Sequence, residues 1–253
     1  MTRVIAVTNQ KGGVGKTTTA VNLAACLAEA GLDVLLVDLD PQANASSGLM
    51  ARAEEARLSS YGILGGVAAV AEATVATVVS RLSLVPSCPD LAGAVVELAG
   101  AEGNEYVLDQ ALTGHVSQYD FVLVDCPPSL GILTVNALVA AGEVLIPVQS
   151  EYYALEGLAQ LLDTVDLVRE HLNPGLEILG VLVTMYDGRT RLGREVAKEV
   201  REHLGAHVFD TVVPRNVRLS EAPSHGLPIS RYDATCSGSD AYFDLAKEVV
   251  SRV

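Results

Sequence analysis

The feature that most constrains this chain is a glycine-rich turn set between an apolar strand pattern and a helical one. Gly12-Gly13-Val14-Gly15-Lys16-Thr17 follows the run Val4–Thr8 (VIAVT) and opens the helical pattern Thr17–Ala30. Strand, glycine loop and helix in that order are the setting that a phosphate-binding loop requires. Glycines let successive backbone N–H groups turn inward toward an anion, and the helix N-terminus adds partial positive charge. Lys16 is then placed to reach the β- and γ-phosphate oxygens. Thr17 is set to hold Mg²⁺ through its hydroxyl, and Thr18 to bond the α-phosphate. A plain tight turn is the competing reading, and Gly-Lys-Thr-Thr in this frame makes it the weaker one.

The ordinary spacing GxxxxGK[ST] would put glycine at position 10, where this chain has Gln10 followed by Lys11. A second lysine inside the loop, in Lys11-Gly12-Gly13-Val14-Gly15-Lys16-Thr17-Thr18, is the deviant Walker A form. Lys11 is either a solvated loop lysine or a residue that reaches across a dimer interface to the partner's nucleotide. In the second role it resembles an arginine finger supplied in trans, neutralising charge on the transferred phosphoryl group. Asp125 ends the run FVLVD before Cys126-Pro127-Pro128, the place expected of a Walker B aspartate that holds the Mg²⁺ shell through water. Asp38 and Asp40 end the run VLLVD, within Asp38-Leu39-Asp40-Pro41-Gln42. Asp40 is the better placed to face the γ-phosphate and orient the attacking water, with Asp38 helping to fix the metal shell. Thr17, Asp40 and Asp125 are thus the metal candidates, although either acid of the Asp38–Asp40 pair could instead cap a helix or a turn.

The rest of the chain alternates in the same way. Val4–Thr8, Val34–Asp38, Leu82–Pro86, Phe121–Asp125, Val144–Val148, Ile178–Thr184 and Val208–Val213 read as strands, most of them apolar on both faces. Helical spacing appears over Thr17–Ala30, Ala92–Leu98, Leu130–Ala141, Ala154–His171 and Leu192–Leu204. Strands buried on both faces and separated by helices imply an α/β fold: a doubly wound, mostly parallel sheet with helices on both faces. Nothing resembles a linker, so a single domain over 1–253 is expected. Residues 52–66 and 67–80 are undecided between short helices and loop. Four widely spaced cysteines indicate neither a disulfide framework nor a zinc site. No signal-peptide pattern and no apolar run near the ~18 residues of a membrane span are found, which points to the cytoplasm.

Lys11–Thr18, Asp38–Gln42, Asp125–Pro128 and the late stretch Pro214-Arg215-Asn216-Val217-Arg218-Leu219-Ser220-Glu221-Ala222-Pro223-Ser224 together resemble the ParA/Soj family of chromosome- and plasmid-partitioning ATPases, from Arg3 to about Val249. The likeness is to the short chromosomal type, and with Met1 so close before the first strand no N-terminal helix-turn-helix extension is expected. The resemblance implies ATP and Mg²⁺ as ligands, a nucleotide-sandwich homodimer and non-specific binding of double-stranded DNA by that dimer. It also implies slow ATP hydrolysis, stimulated by a centromere-bound ParB-type partner. By position it makes Lys11 the signature lysine, Lys16 and Thr17 the phosphate and Mg²⁺ ligands, Asp40 the hydrolytic aspartate and Asp125 the Walker B residue. Pro214 and Asn216 fall where the family contacts adenine. Related families supply the alternatives: a Min-type or cargo-positioning ATPase that does not bind DNA, or an iron protein using Cys88 and Cys126. The acidic end, Asp240–Val250, argues against anionic membranes, and both cysteines read as small buried residues.

The net charge of −14 argues, as a sum, against nucleic acid. Its distribution argues otherwise. Between Arg81 and Arg169 no Lys or Arg occurs, whereas Met185–Arg231 carries eight basic residues against six acidic ones. Screening over ~8–10 Å lets a phosphate feel the nearby arginines more than distant carboxylates. Arg189, Arg191 and Arg218 are the DNA candidates, consistent with a nucleoid-associated protein. For Lys198 and Arg201 ion pairing on their own helix is the preferred reading.

Overall fold

Apolar residues on both faces of the expected strands demand a sheet covered on both sides. A computed structural model of the chain describes residues 2–50, 56–100, 102–151 and 154–252. Its strands are β1 (Arg3–Val7), β2 (Val34–Asp38), β3 (Val75–Ala76), β4 (Leu82–Val85), β5 (Phe121–Asp125), β6 (Glu143–Gln149), β7 (Glu177–Tyr186) and β8 (Val208–Pro214). They form one sheet in the order β3-β4-β2-β5-β1-β6-β7-β8. Every neighbouring pair is parallel except β3 with β4. This is the α/β architecture read from the sequence.

Alternation along β1 divides the core. Ile5 and Val7 pack beneath the helices Lys16–Glu29 and Ser237–Ser251. Ala6 faces the opposite layer, which includes the helices Ile132–Ala140, Ala154–His171 and Arg191–Leu204. Each fully buried Val, Leu or Ile side chain contributes about 1.5–3 kcal/mol, so these two apolar layers supply most of the driving force. Register then sets the site. Val7 of β1 lies beside Asp125 of β5, and Asp125 lies beside Asp38 of β2, so three strands end at one level along the carboxyl edge.

Most of the undecided stretch 52–80 takes up short elements, while 51–55, with Arg52, lies outside the described residues. A short 3₁₀ turn (Ala56–Leu58) and the helices Ser60–Leu64 and Val70–Ala73 lead into β3, whose two residues pair antiparallel with Leu84 and Ser83. A strand this short has no periodicity to read. The helix Ser237–Ser251 is also additional to the helices expected. Tyr242, Leu245 and Val249 give it a buried face against helix Lys16–Glu29 and the sheet.

That last helix is latched to the far edge of the sheet. Arg252 donates to Leu179 O (2.9 Å), Val208 O (2.9 Å) and Glu248 Oε1 (2.8 Å), and its guanidinium lies 4.0 Å from the Phe209 ring centre. Glu248 in turn accepts the backbone N–H groups of Asp210 (2.9 Å) and Thr211 (3.1 Å) of β8. Gly180 makes room for this stack: a Cβ there would stand 2.6 Å from Phe209 Cε2. Removing the guanidinium strands two backbone carbonyls and takes the counter-ion from Glu248, which keeps its two backbone donors. Arg252→Ala is therefore expected to lower the unfolding free energy by about 2 kcal/mol, measured by urea denaturation; a change near zero would mean that the latch is not holding the edge.

Candidate nucleotide site

The loop after β1 bends as its glycines allow. Gly13 (φ +75°) and Gly15 (φ +88°) both occupy the left-handed region that favours glycine, and Gly15 caps helix Lys16–Glu29. Neighbouring elements hold the loop in place. Thr184, at the end of β7, donates from its hydroxyl to Val14 O (2.8 Å), and Asn9 Nδ2 donates to Pro147 O (2.8 Å). Lys16 is buried at 6% exposure, and its Nζ donates to Lys11 O at 3.0 Å. Burial holds the Lys16 ammonium below its usual range, while the nearby carboxylates of Asp125 and Asp40 act in the opposite direction.

The carboxylates differ in how they are occupied. Asp125 is fully buried and neither oxygen has a hydrogen-bond partner. Burial pushes its pKa well up, and the charge of Asp38 pushes the same way. The Thr17 hydroxyl stands beside it and tempers that rise without closing a hydrogen bond of normal geometry. Unused carboxylate lone pairs beside a hydroxyl are the hard oxygen donors that Mg²⁺ takes, so Thr17 and Asp125 fit such an ion. Asp38, by contrast, is already used. It accepts the N–H of Asp40 (3.1 Å), the N–H of Ser46 (2.9 Å) and the Ser46 hydroxyl (2.6 Å). Burial raises its pKa to about 6 against those three bonds. Asp38 therefore serves the turn, the alternative left open by the sequence, and does not offer itself to a metal shell. Asp40 takes the N–H of Gln42 at 2.9 Å and lines a cavity of about 310 Å³ with Gly12, Gly13, Lys16 and Thr17.

A second cavity of about 310 Å³ opens on the other side of Gly15 and Thr18, and both Pro214 and Asn216 line it. Asn216 also caps the helix Val217–Glu221, accepting from Arg218 N (2.9 Å) and donating to Ser237 Oγ (3.1 Å). Tyr242 closes the inner end, its hydroxyl 3.3 Å from Thr19 Oγ1. Ser46, Thr184, Tyr242 and Met185, the last at φ +50°, are site residues that sequence reasoning missed. Thr184 and Tyr242 take their places from hydrogen bonds that span long stretches of chain and leave no local spacing, whereas Ser46 binds Asp38 only eight residues away and carries no motif of its own.

The arginines named for DNA are brought to one region, because the backbone after β8 returns to the end of β7: Arg215 N donates to Tyr186 O at 3.1 Å. Each is ion-paired at the surface. Arg189 grips Asp187 (2.9 and 2.8 Å), Arg191 meets Glu195 (2.6 Å), and Arg218 meets Glu221 (2.9 Å). Lys198 pairs with Glu202 (3.3 Å), as expected; Arg201 instead reaches Ala197 O (3.5 Å). Cys126 is buried, with burial pushing its thiol far up, but Cys88 is only half-buried and rests against the Ser59 hydroxyl at 3.3 Å. Burial was therefore the wrong expectation for Cys88, which sits where a loop meets solvent. No group of three or more His, Cys, Asp or Glu side chains that could hold a metal ion occurs among the described residues.

Sheet order, loop and strand-end acids define a P-loop nucleoside triphosphatase fold. A family model described as an AAA domain matches residues 2–178. The chain is 55% identical over 252 residues to the sporulation initiation inhibitor protein Soj of Bacillus subtilis (strain 168), covering 100% of both chains. It is 56% identical over 251 residues to the chromosome-partitioning ATPase Soj of Thermus thermophilus, covering 99% of this chain and 96% of that one. Among solved structures, cobyrinic acid a,c-diamide synthase from Mycobacterium smegmatis with bound ADP and magnesium is similar at TM-score 0.85 and 39% identity, over 98% of this chain and 93% of that one. The chain belongs to the ParA/Soj family of chromosome-partitioning ATPases.

One hydroxyl links the turn that carries Asp40 to the neighbouring loop. Ser46 Oγ donates to Asp38 and also accepts the N–H of Ser87 at 2.9 Å. Ser46→Ala leaves that N–H unpaired and removes a short bond to a buried carboxylate. A loss of about 1–3 kcal/mol in stability is expected, together with slower nucleotide hydrolysis. An unfolding midpoint and a turnover rate both equal to wild type would show that the turn holds itself.

Proposed function

We propose that this chain is an ATP-driven partitioning switch: it binds Mg²⁺·ATP, pairs with a second copy across the nucleotides, and in that state binds double-stranded DNA without sequence preference. Hydrolysis to ADP and phosphate, weak alone and stimulated by a ParB-type partner, returns it to the free chain. The observation that carries this reading is the buried, unpartnered Asp125 carboxylate beside Thr17 and Lys16, two residues that line the glycine-loop cavity together with Asp40.

The proposed division of labour rests on where each group sits. Gly12 to Thr18 cradle the phosphates; Lys16 donates to their β and γ oxygens; Thr18 takes the α-phosphate. Pro214 and Asn216 wall the cavity for the base. Thr17 and Asp125, with Asp40 nearby, would hold the metal. Mg²⁺, when bound, would supply charge neutralisation to the phosphate oxygens. Asp40 orients the attacking water. Lys11 lines none of this: its side chain is 35% exposed and turned to Glu151, which supports a role on the partner's nucleotide instead of its own. Such a charge, delivered only on pairing, makes hydrolysis depend on the dimer.

The cytoplasm, and within it the nucleoid, is the proposed location. No helix among the described residues is long and apolar enough to cross a membrane. Helix Ser237–Ser251 carries Asp240, Asp244 and Glu248 against Lys247, the wrong sign for anionic lipid. For DNA, exposed ion pairs such as Arg191–Glu195 contribute little to the free chain, and a duplex phosphate can replace the carboxylate. Two such faces in a dimer act together, so affinity follows ATP.

Asp40→Ala is expected to accumulate as an ATP-bound dimer that still holds duplex DNA but turns over at least tenfold more slowly; size-exclusion chromatography showing monomer alone with ATP contradicts the assignment. Arg189→Ala and Arg218→Ala should each weaken binding to unrelated duplexes alike. Each should also lower the slope of log K against log salt by about 0.9 per lost phosphate contact. Slopes equal to wild type would remove these arginines from the DNA face.

A further inference from the structure

The first half of the phosphate loop is stitched to a segment that the nucleotide chemistry does not use. Gln10, the residue standing where the ordinary loop has glycine, donates from Nε2 to Gly157 O (3.2 Å) and to Gln160 Oε1 (2.7 Å) on the helix Ala154–His171. Next to it, Lys11 N donates to Asn9 Oδ1 (2.9 Å), and Lys11 Nζ reaches Glu151 Oε2 at 3.4 Å. Glu151 is itself braced: its other oxygen accepts Gln149 Nε2, on the last residue of β6, at 2.7 Å. One oxygen is thus fixed from the sheet side and the other is presented to the lysine.

Resting on the reading of Lys11 as a residue that acts on the partner's nucleotide, we propose that Glu151 is a positioning residue that holds Lys11 within its own chain, and that this ion pair must open before two chains can close on ATP. One ammonium cannot stay on an in-chain carboxylate and also neutralise a phosphate across the interface. Whatever the closed pair contributes to the free chain therefore opposes the dimer. With side-chain exposures of 35% and 46% the pair is screened by solvent, so its effect is about threefold per chain. Closing the dimer opens two pairs, which makes about tenfold on the dimer dissociation constant. A polyphosphate displaces the carboxylate because it carries more charge at short range, and a partner without its γ-phosphate does so less well. Glu151 thereby sharpens the dependence of pairing on the triphosphate.

Sedimentation velocity in Mg²⁺ and a non-hydrolysable ATP analogue tests this on the full chain. Glu151→Gln keeps the shape and can still accept from Gln149, but it loses the charge. It is expected to tighten the dimer about tenfold while the monomer's affinity for the analogue, by fluorescence titration, stays unchanged. Lys11→Ala and the Lys11→Ala, Glu151→Gln double variant should pair equally poorly, because Glu151 acts through Lys11. A dimer constant for Glu151→Gln equal to or weaker than wild type overturns the proposal, as does a double variant that pairs better than Lys11→Ala. A Lys11→Ala chain that dimerises like wild type would instead overturn the trans role of Lys11, a separate failure.

Discussion

Two acids and an ammonium buried together at the carboxyl edge of the sheet set the terms for the rest of the molecule. Burial disfavours charge on all of them, pushing Asp38 and Asp125 up and Lys16 down. Asp38 answers with three hydrogen bonds, whereas Asp125 has none. The strand ends that bring them together are fixed by the parallel register of β1, β5 and β2, which the apolar layers on both faces enforce. A fold arranged in this way has an unmet demand for a cation and its anionic companion at one point. Binding there relieves an electrostatic cost that the core has already borne.

Local chemistry with a fixed spacing was legible from residues alone. Val34–Asp38 and Phe121–Asp125 run as read, and the neighbourhood of Lys16, Thr17, Asp40 and Asp125 follows from strands that end where their apolar runs end. Legibility failed where a position is defined by distance along the chain. Thr184 touches Val14 across 170 residues, and Tyr242 touches Thr19 across 223. Neither carries a motif. β3 depends wholly on pairing with β4, so its two residues look like loop, and Cys88 could not be told from a buried cysteine by its neighbours. Asp38 shows the subtler limit: type and position suggested a ligand, and only the geometry of Ser46 showed that one of its oxygens is fully committed to the turn.

Charge offered a similar lesson on a larger scale. The acidic total concealed a region in which cationic side chains gather, yet the arginines of that region are not bare. Arg189, Arg191 and Arg218 each face an acid of their own neighbourhood. A surface built from satisfied, exposed pairs is close to neutral at rest and becomes attractive only to a partner with denser charge than a carboxylate. The same logic governs Lys11 and Glu151, at the other side of the glycine loop.

The two backbone bonds that Glu248 accepts from β8 have a consequence of another kind. β8 is an outer strand, and an outer strand with free N–H groups invites a second chain to add itself as the next strand. Glu248 occupies Asp210 N and Thr211 N with a side chain, and at the opposite border two residues of β3 run antiparallel against β4. Both borders of the sheet are thereby blunted. Among the described residues, a second copy finds no long row of free N–H groups at either border on which to add a strand.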